Sequence, residues 1–407
     1  MNTTIKQRLA QINNGGTPYG YRKTTYGVFP CDWIEVQFGE IAFLSKRQYS
    51  RSETDDNPIC IELEHLGEGY RNGNSYGQEQ SSNKNSFEIG DVLFGKLRPY
   101  LKKYYLAKEN GVCSTEIWVI KSRNVNNLFL YFIIGSDRFI TVADESAFGT
   151  KMPRAEWKTV IKCRFPIPAN QSEQARIAEI LMKWDEAIEL YEQLIEKYKQ
   201  RKAIFLQKMF PAKGKDVPEW RFKGFTTPWE QRKVAELFKV TRGYVLATSF
   251  TSETQTDEKP YPVYSSQTKD NGLMGYYKDY LYENAITWTT DGANAGTVVF
   301  RAGKFYCTNV CGVLLANKAE PNQMIAEALN NVAKGYVSYV GNPKLMNNVM
   351  AEIEISLPVD EKERKRISAL FNRIDNLITL HQRKLDTLKK QRKALQQYLL
   401  TGIVRVV

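Results

Sequence analysis

The sequence predicts an α+β protein: two similar mixed α/β domains at opposite ends of a pair of long antiparallel coiled-coil helices, related by a pseudo-two-fold internal repeat. Three observations predict it. Residues 168–190 align at an offset of 190 with residues 358–380, and seven of the 23 positions are identical, among them Pro168/Pro358, Glu173/Glu363, Arg176/Arg366, Ile177/Ile367, Asp185/Asp375 and Ile188/Ile378. Each copy opens an apolar seam of alternating four- and three-residue steps held for more than four heptads, which is a coiled-coil pattern. Each is also preceded by a domain-sized stretch of short Val/Ile/Tyr/Phe runs bounded by Gly, Asn and Pro, which reads as sheet.

The elements follow in chain order. Domain one covers residues 1–168. The first helix and a linker, 169–215, open with Asn170-x-x-Glu173, a capping box. Its seam runs Ile177, Leu181, Trp184, Ile188, Tyr191, Ile195, Tyr198, Lys202, Phe205, Met209. Pro211 to Pro218 punctuates the entry to domain two, 216–358, where Ala285–Thr290 and Thr297–Phe300 read as strands. The second helix, 359–407, opens with Asp360-x-x-Glu363, and its seam runs Ile367, Phe371, Ile374, Ile378, His381, Leu385, Leu388, Arg392, Leu395, Leu399. A helix of about 40 residues is about 60 Å long. Compact domains keep their termini close together, so the chain returns to its point of departure and the helices run antiparallel. Gln200-Arg-Lys-Ala203 and Gln391-Arg-Lys-Ala394 align at an offset of 191, one residue out of step; burial of the seam favours 190. Lys202 and Arg392 share one seam position, which marks either loosened packing or a place where a partner's carboxylate reaches in. A fainter repeat precedes each helix: Pro30-Cys-Asp-Trp33 leads to Glu40, and Pro228-Trp229 to Glu236, seven positions after each Trp.

With 57 Lys plus Arg against 45 Asp plus Glu, the net charge is +12, which points to a polyanion such as nucleic acid. A membrane surface is the rival. The longest apolar run, Leu128–Ile134, is far short of the roughly 20 residues of a bilayer span, and the N-terminus lacks a signal-peptide core, so a cytoplasmic location is expected. The charge is uneven: +4 on residues 1–168, +1 on 169–217, zero on 218–358 and +7 on 359–407. Cys31, Cys60, Cys113, Cys163, Cys307 and Cys311 are scattered and the only histidines are His65 and His381, so buried structural thiols are expected and no metal site.

Beyond the repeat, Phe165-Pro-Ile-Pro168 precedes Glu173-Gln-x-Arg-Ile177, and Leu357-Pro358 precedes Glu363-x-x-Arg-Ile367. Thr227-Pro-Trp-Glu-Gln-Arg-Lys233 opens the second domain, and Gly90-Asp-Val-Leu-Phe-Gly-Lys-Leu-Arg-Pro-Tyr-Leu-Lys103 lies inside the first. In this order, and over essentially the whole chain, these residues resemble the specificity subunit of type I restriction-modification enzymes. The resemblance implies two target-recognition domains, each reading one half of a split double-stranded DNA site. It implies that the helices set their separation and dock two methyltransferase (modification) subunits, with restriction (translocase/nuclease) subunits completing the complex. No cofactor is then bound by this chain; S-adenosylmethionine, ATP and Mg²⁺ belong to the partner subunits.

A search for chemistry within the chain agrees. Gly90-x-x-x-x-Gly95-Lys96 has P-loop spacing, but Leu97 replaces the Mg²⁺-binding hydroxyl, and a strand and turn offering cations to a phosphate is the better reading. Glu363-Arg-Lys365 resembles a nuclease fragment but reads as an exposed helix cap with surface charge. Asn342-Pro343-Lys344 falls short of an adenine-methyltransferase motif. The alternative is a self-contained DNA-acting enzyme, a nuclease with an unfamiliar centre; a transcription regulator is disfavoured because no helix-turn-helix is apparent.

Base readout needs Arg/Lys for guanine and Asn/Gln for adenine, within a set of phosphate contacts. Candidates in domain one are Lys46, Arg47, Arg51, Lys96, Arg98, Lys102, Lys151 and Arg154. In domain two they are Arg242, Tyr244, Ser266, Gln267, Lys269, Thr290, Asn294, Lys344 and Asn347. No catalytic or metal-binding residue is assigned.

Overall fold

The structure is a computed structural model that describes residues 3–49, 58–76, 83–266 and 269–406. Its contacts divide the chain into two compact units, Met1–Tyr191 with Lys384–Val407, and Glu192–Arg383. Each unit therefore joins one domain to half of each long helix. The helices themselves are Gln171–Lys208 and Glu361–Leu400, within a few residues of the positions that capping and periodicity indicate. Every seam residue is buried or half-buried, because the 4-3 spacing keeps one stripe facing inward.

In the first unit, a four-stranded antiparallel sheet runs Tyr104–Leu106, Val92–Gly95, Ile117–Ser122, Ala42–Leu44. A five-stranded sheet contains one parallel pair, Gly111–Cys113 with Ile59–Ile61. The helix Asn127–Ile134 is apolar all round and correspondingly buried. Phe38, Phe94, Phe139 and Phe165 meet with ring centroids 5.0–5.6 Å apart. A ribbon of Trp33–Gln37 with Arg164–Pro168 carries the chain out to the first long helix. The core continues into the helix pair through Ile177, Leu181 and Leu399. Asp185 pairs with Arg392 and Glu173 with Arg405, so within this unit the two helices are antiparallel.

The second unit has a six-stranded sheet ordered Phe238–Arg242, Cys311–Ala316, Tyr282–Thr289, Val298–Cys307, Tyr261–Tyr264, Leu273–Tyr277. It also has one parallel pair, Tyr261–Tyr264 with Val298–Cys307. A ribbon of Glu230–Lys233 with Glu354–Leu357 leads to the second long helix. The core again runs into the helices, through Phe210, Ile367 and Phe371. Lys202 pairs with Asp375, and Tyr198 stacks on His381 at 5.5 Å, so the helix halves are antiparallel here too. The faint repeat extends to one anomaly: Trp33 and Trp229 are both buried, and neither indole N–H has a hydrogen-bond partner.

Cys60, Cys113, Cys307 and Cys311 are buried free thiols, and burial pushes the pKa of Cys60 and Cys311 up to about 11. Cys31 is exposed and Cys163 half-buried, contrary to the expectation that all six are interior. Cys31 lies in the turn between strands Gly27–Pro30 and Trp33–Gln37, where its side chain faces outward.

Candidate nucleic-acid interface

The long helices fix the site's scaffold through charge at matched positions. Asn170 and Asp360 cap as expected, each accepting a 2.8 Å bond from the backbone N–H two residues on. Their partners in the expected boxes do not reach back. Glu363, expected to be an exposed cap, is fully buried and receives bonds of 2.7 and 2.8 Å from Arg221. Glu173 receives 2.6 and 3.0 Å bonds from Arg405. In each unit, then, an arginine beyond the end of one helix neutralises the carboxylate opening the other, and a charged bidentate bond outcompetes a cap. Arg405 also grips Asp32, which it holds below the usual carboxylate pKa by hydrogen bonding and charge.

The seam charges pair in the same pattern. Arg392 donates to both oxygens of Asp185 at 2.7 and 2.9 Å, and Lys202 to both oxygens of Asp375 at the same distances. Lys202 also meets Glu327 at 2.6 Å. The carboxylate reaching into the seam is thus this chain's own. All four residues stand at the offset of 190, which is the seam's register.

The candidate contact residues are brought together by a motif common to both domains. In the first, Phe148 and Arg154 exchange backbone bonds of 3.1 and 3.0 Å around a turn with Gly149 at φ +103°. In the second, Ser338 and Lys344 do so at 2.9 Å around Gly341 at φ +75°. Each hairpin leans on the loop after a central strand. Leu97 bridges Arg154, and Arg98 N–H donates to Pro153 O. Asp291 bridges Lys344, and Gly292 N–H donates to Pro343 O. Lys96, Arg98, Lys151 and Arg154 therefore cluster in one domain, and in the other Lys344 lies against the loop Asp291–Gly292 that leads to Asn294. Sequence reading missed the exposed apolar side chains on these hairpins, Phe148, Met152, Tyr339 and Val340. The recurring signal was a Gly followed within four residues by Pro, Gly149/Pro153 and Gly341/Pro343.

The other candidates sort by what holds them. Arg47 pairs with Glu88 at 2.7 Å, Lys102 with Asp137 at 2.7 Å, and Arg154 with Glu116 at 3.0 Å, so these cations are partly neutralised within the chain. Lys46, Lys96, Arg98, Lys151 and Arg242 have no ion-pair partner among the described residues. Arg98 and Lys102 both sit at φ +51°, at the two ends of the turn Pro99–Leu101. Tyr244 is exposed and Ser266 half-buried. Lys344 lies 3.9 Å from Asp291, and Asn347 donates to Thr241 O at 3.3 Å. Thr290 requires correction: it is buried and its hydroxyl bonds Val310 O at 3.0 Å, so it shapes its loop rather than facing a ligand. Arg51 and Gln267 lie outside the described residues; Lys269 begins the short turn Lys269–Gly272. The strand Val92–Gly95 after Gly90 runs into a turn and not a helix, as the non-P-loop reading requires. Among the described residues no three His, Cys, Asp or Glu side chains gather as a metal site, and no helix is long and apolar enough to cross a membrane.

Two similar domains, each joined by a ribbon to the long helices and each presenting a hairpin beside a basic or polar loop, define a duplicated DNA-recognition module. The type I restriction modification DNA specificity domain matches residues 30–200 and again 226–390, and the chain belongs to that family. Among relatives, the chain is similar to type I specificity subunit S.MpnORF289P N-terminus of Mycoplasma pneumoniae, 37% identical over 143 residues, 34% of this chain and 74% of that protein. It is also similar to the type I restriction enzyme MpnII specificity subunit of the same organism, 34% identical over 151 residues, 36% of this chain and 44% of that one. Among solved structures, the fold matches a type I restriction-modification S subunit from M. genitalium with a TM-score of 0.70 at 17% identity, over 90% of this chain and 96% of the other.

Proposed function

We propose that this chain is the non-catalytic specificity subunit of a type I restriction-modification complex. It reads a bipartite double-stranded DNA target with one half-site per domain and docks two modification subunits, with restriction subunits as further partners. S-adenosylmethionine, ATP and Mg²⁺ belong to those partners, and the cytoplasm is where such a complex meets its DNA. The observation that carries this reading is the duplication within one chain: two family segments, each with the same ribbon, the same hairpin beside a basic or polar loop and the same inward carboxylate at its helix start. A chain that carries two such domains is matched to two DNA half-sites.

Incubating the purified chain with host DNA, Mg²⁺, ATP and S-adenosylmethionine tests it. The expected outcome is neither cleavage nor methylation by the chain alone, and adenine methylation at a split sequence once modification subunits are added. Cleavage or methylation by the chain alone would favour the self-contained enzyme instead.

A further inference from the structure

Arg301 is 8% exposed, on the strand Val298–Cys307. Its Nε donates to Thr287 Oγ1 at 3.2 Å, one terminal nitrogen donates to Asn271 O at 2.6 Å, and its guanidinium lies 3.7 Å from the centroid of the Tyr264 ring. No carboxylate pairs with it among the described residues, and burial pushes its pKa down. A guanidinium nonetheless stays charged and has five N–H donors, more than these bonds use.

The first domain shows what the fold does here without a charge. By strand register, Thr287, opposite Val299 and Val313, corresponds to Leu93, opposite Tyr105 and Val119. Arg301, opposite Ala285, takes the place of Ala107, whose N–H bonds Asp91 O. In the first domain Leu93, Tyr105, Ala107 and Ile117 close into an apolar cluster. In the second, the same place is a cavity of about 60 Å³ whose lining sets Ser265, Asn271, Thr287, Thr289, Thr297 and Arg301 beside the apolar Trp288, Val299 and Cys311. That space holds several waters or one tetrahedral oxyanion. A buried charge without a counter-ion is strongly unfavourable unless something compensates it, and the sister domain has the uncharged Ala107 at the matching position.

We propose that the Arg301 cavity is an oxyanion site for a phosphate group, with the guanidinium supplying charge and the threonine and serine hydroxyls further hydrogen bonds. The loops that border it carry Ser266 and Asn294, so the group is either a backbone phosphate of the DNA bound by domain two or free phosphate. The DNA source rests on the function proposed above; the anion site itself does not.

The test uses the full chain and the double variant Thr287→Leu/Arg301→Ala, which copies the first domain's residues and so refills the cavity with apolar groups. In the first arm, thermal unfolding is followed against inorganic phosphate: the wild-type midpoint should rise with concentration and the variant's should not. In the second, binding of duplex DNA carrying the host's methylated sequence is measured across salt concentrations, alongside Arg301→Lys. If a DNA phosphate is the occupant, the double variant's slope of log K against log salt becomes shallower by about 0.9, Arg301→Lys keeps the slope, and sequence preference is unchanged. Loss of the phosphate response with an unaltered slope supports free phosphate. A folded double variant that matches wild type in both arms overturns the proposal. Wild type that fails to bind DNA both alone and with modification subunits would overturn the function proposed above, while the phosphate arm would still decide the cavity.

Discussion

Asp185, Lys202, Asp375 and Arg392 put charge into an otherwise apolar seam, and pairing is what makes this tolerable. Removing one member of a buried pair strands the other, at a cost of about 3–5 kcal/mol, whereas replacing both with apolar groups is often neutral. With side chains 28% and 15% exposed, the Asp185–Arg392 pair is only half-buried, so Asp185→Ala should destabilise the first unit in urea unfolding by less than the about 3–5 kcal/mol of a fully buried pair, and adding Arg392→Leu should recover most of the loss. Asp375→Ala should cost less, because Lys202 keeps Glu327. The sequence places the four residues at matched positions but not who meets whom: antiparallel pairing joins residues 207 and 173 apart, separations that no local pattern encodes. Thr290 and Glu363 misled for the same reason, since their burial is decided by Val310 and Arg221, far away in the chain.

For the elements, the long helices were legible because one period repeats for dozens of residues, and their starts because Asn170 and Asp360 cap them. The strands were legible only piecemeal. Ala285–Thr290 and Thr297–Phe300 show as apolar runs and overlap Tyr282–Thr289 and Val298–Cys307 to within one residue, but Ile59–Ile61 is too short to carry a pattern. Sheet order and the meeting of Leu97 with Arg154 depend on non-local pairing, so the candidate site could be read as separate loops but not as one surface. The pairs 185/392 and 202/375 are separated by 17 residues along each helix. A heptad inserted into the first helix alone, between Asp185 and Lys202, breaks this equality. It should lower the unfolding midpoint more than the same heptad inserted in both helices, which preserves all four partners.

At the scale of the molecule, that doubly extended variant carries the sharpest functional prediction. Seven residues lengthen a helix by about 10 Å, or about three base pairs of 3.4 Å. Mapping methylated adenines in cells that carry it should show half-sites about three base pairs farther apart, while an unchanged spacing would show that the helices do not set it. Charge sharpens the picture too. Of the net +12, residues 359–407 carry +7 and residues 218–358 none, so the two domains are not equally electrostatic.

The division into units also bears on how the chain is made. Residues 192–383 are continuous, so the second unit holds all its parts as soon as they leave the ribosome. The first unit does not: its core contains Leu399, Gly402 O accepts from the Tyr21 hydroxyl at 2.7 Å, and Arg405 clasps Asp32 and Glu173. Domains usually mature in order of synthesis, first-made first. Here the order is inverted. The domain translated first waits with an open flank until residues beyond 384 arrive, and a nascent chain halted before that point presents a finished second unit and an uncapped first one, ready for chaperones or proteases.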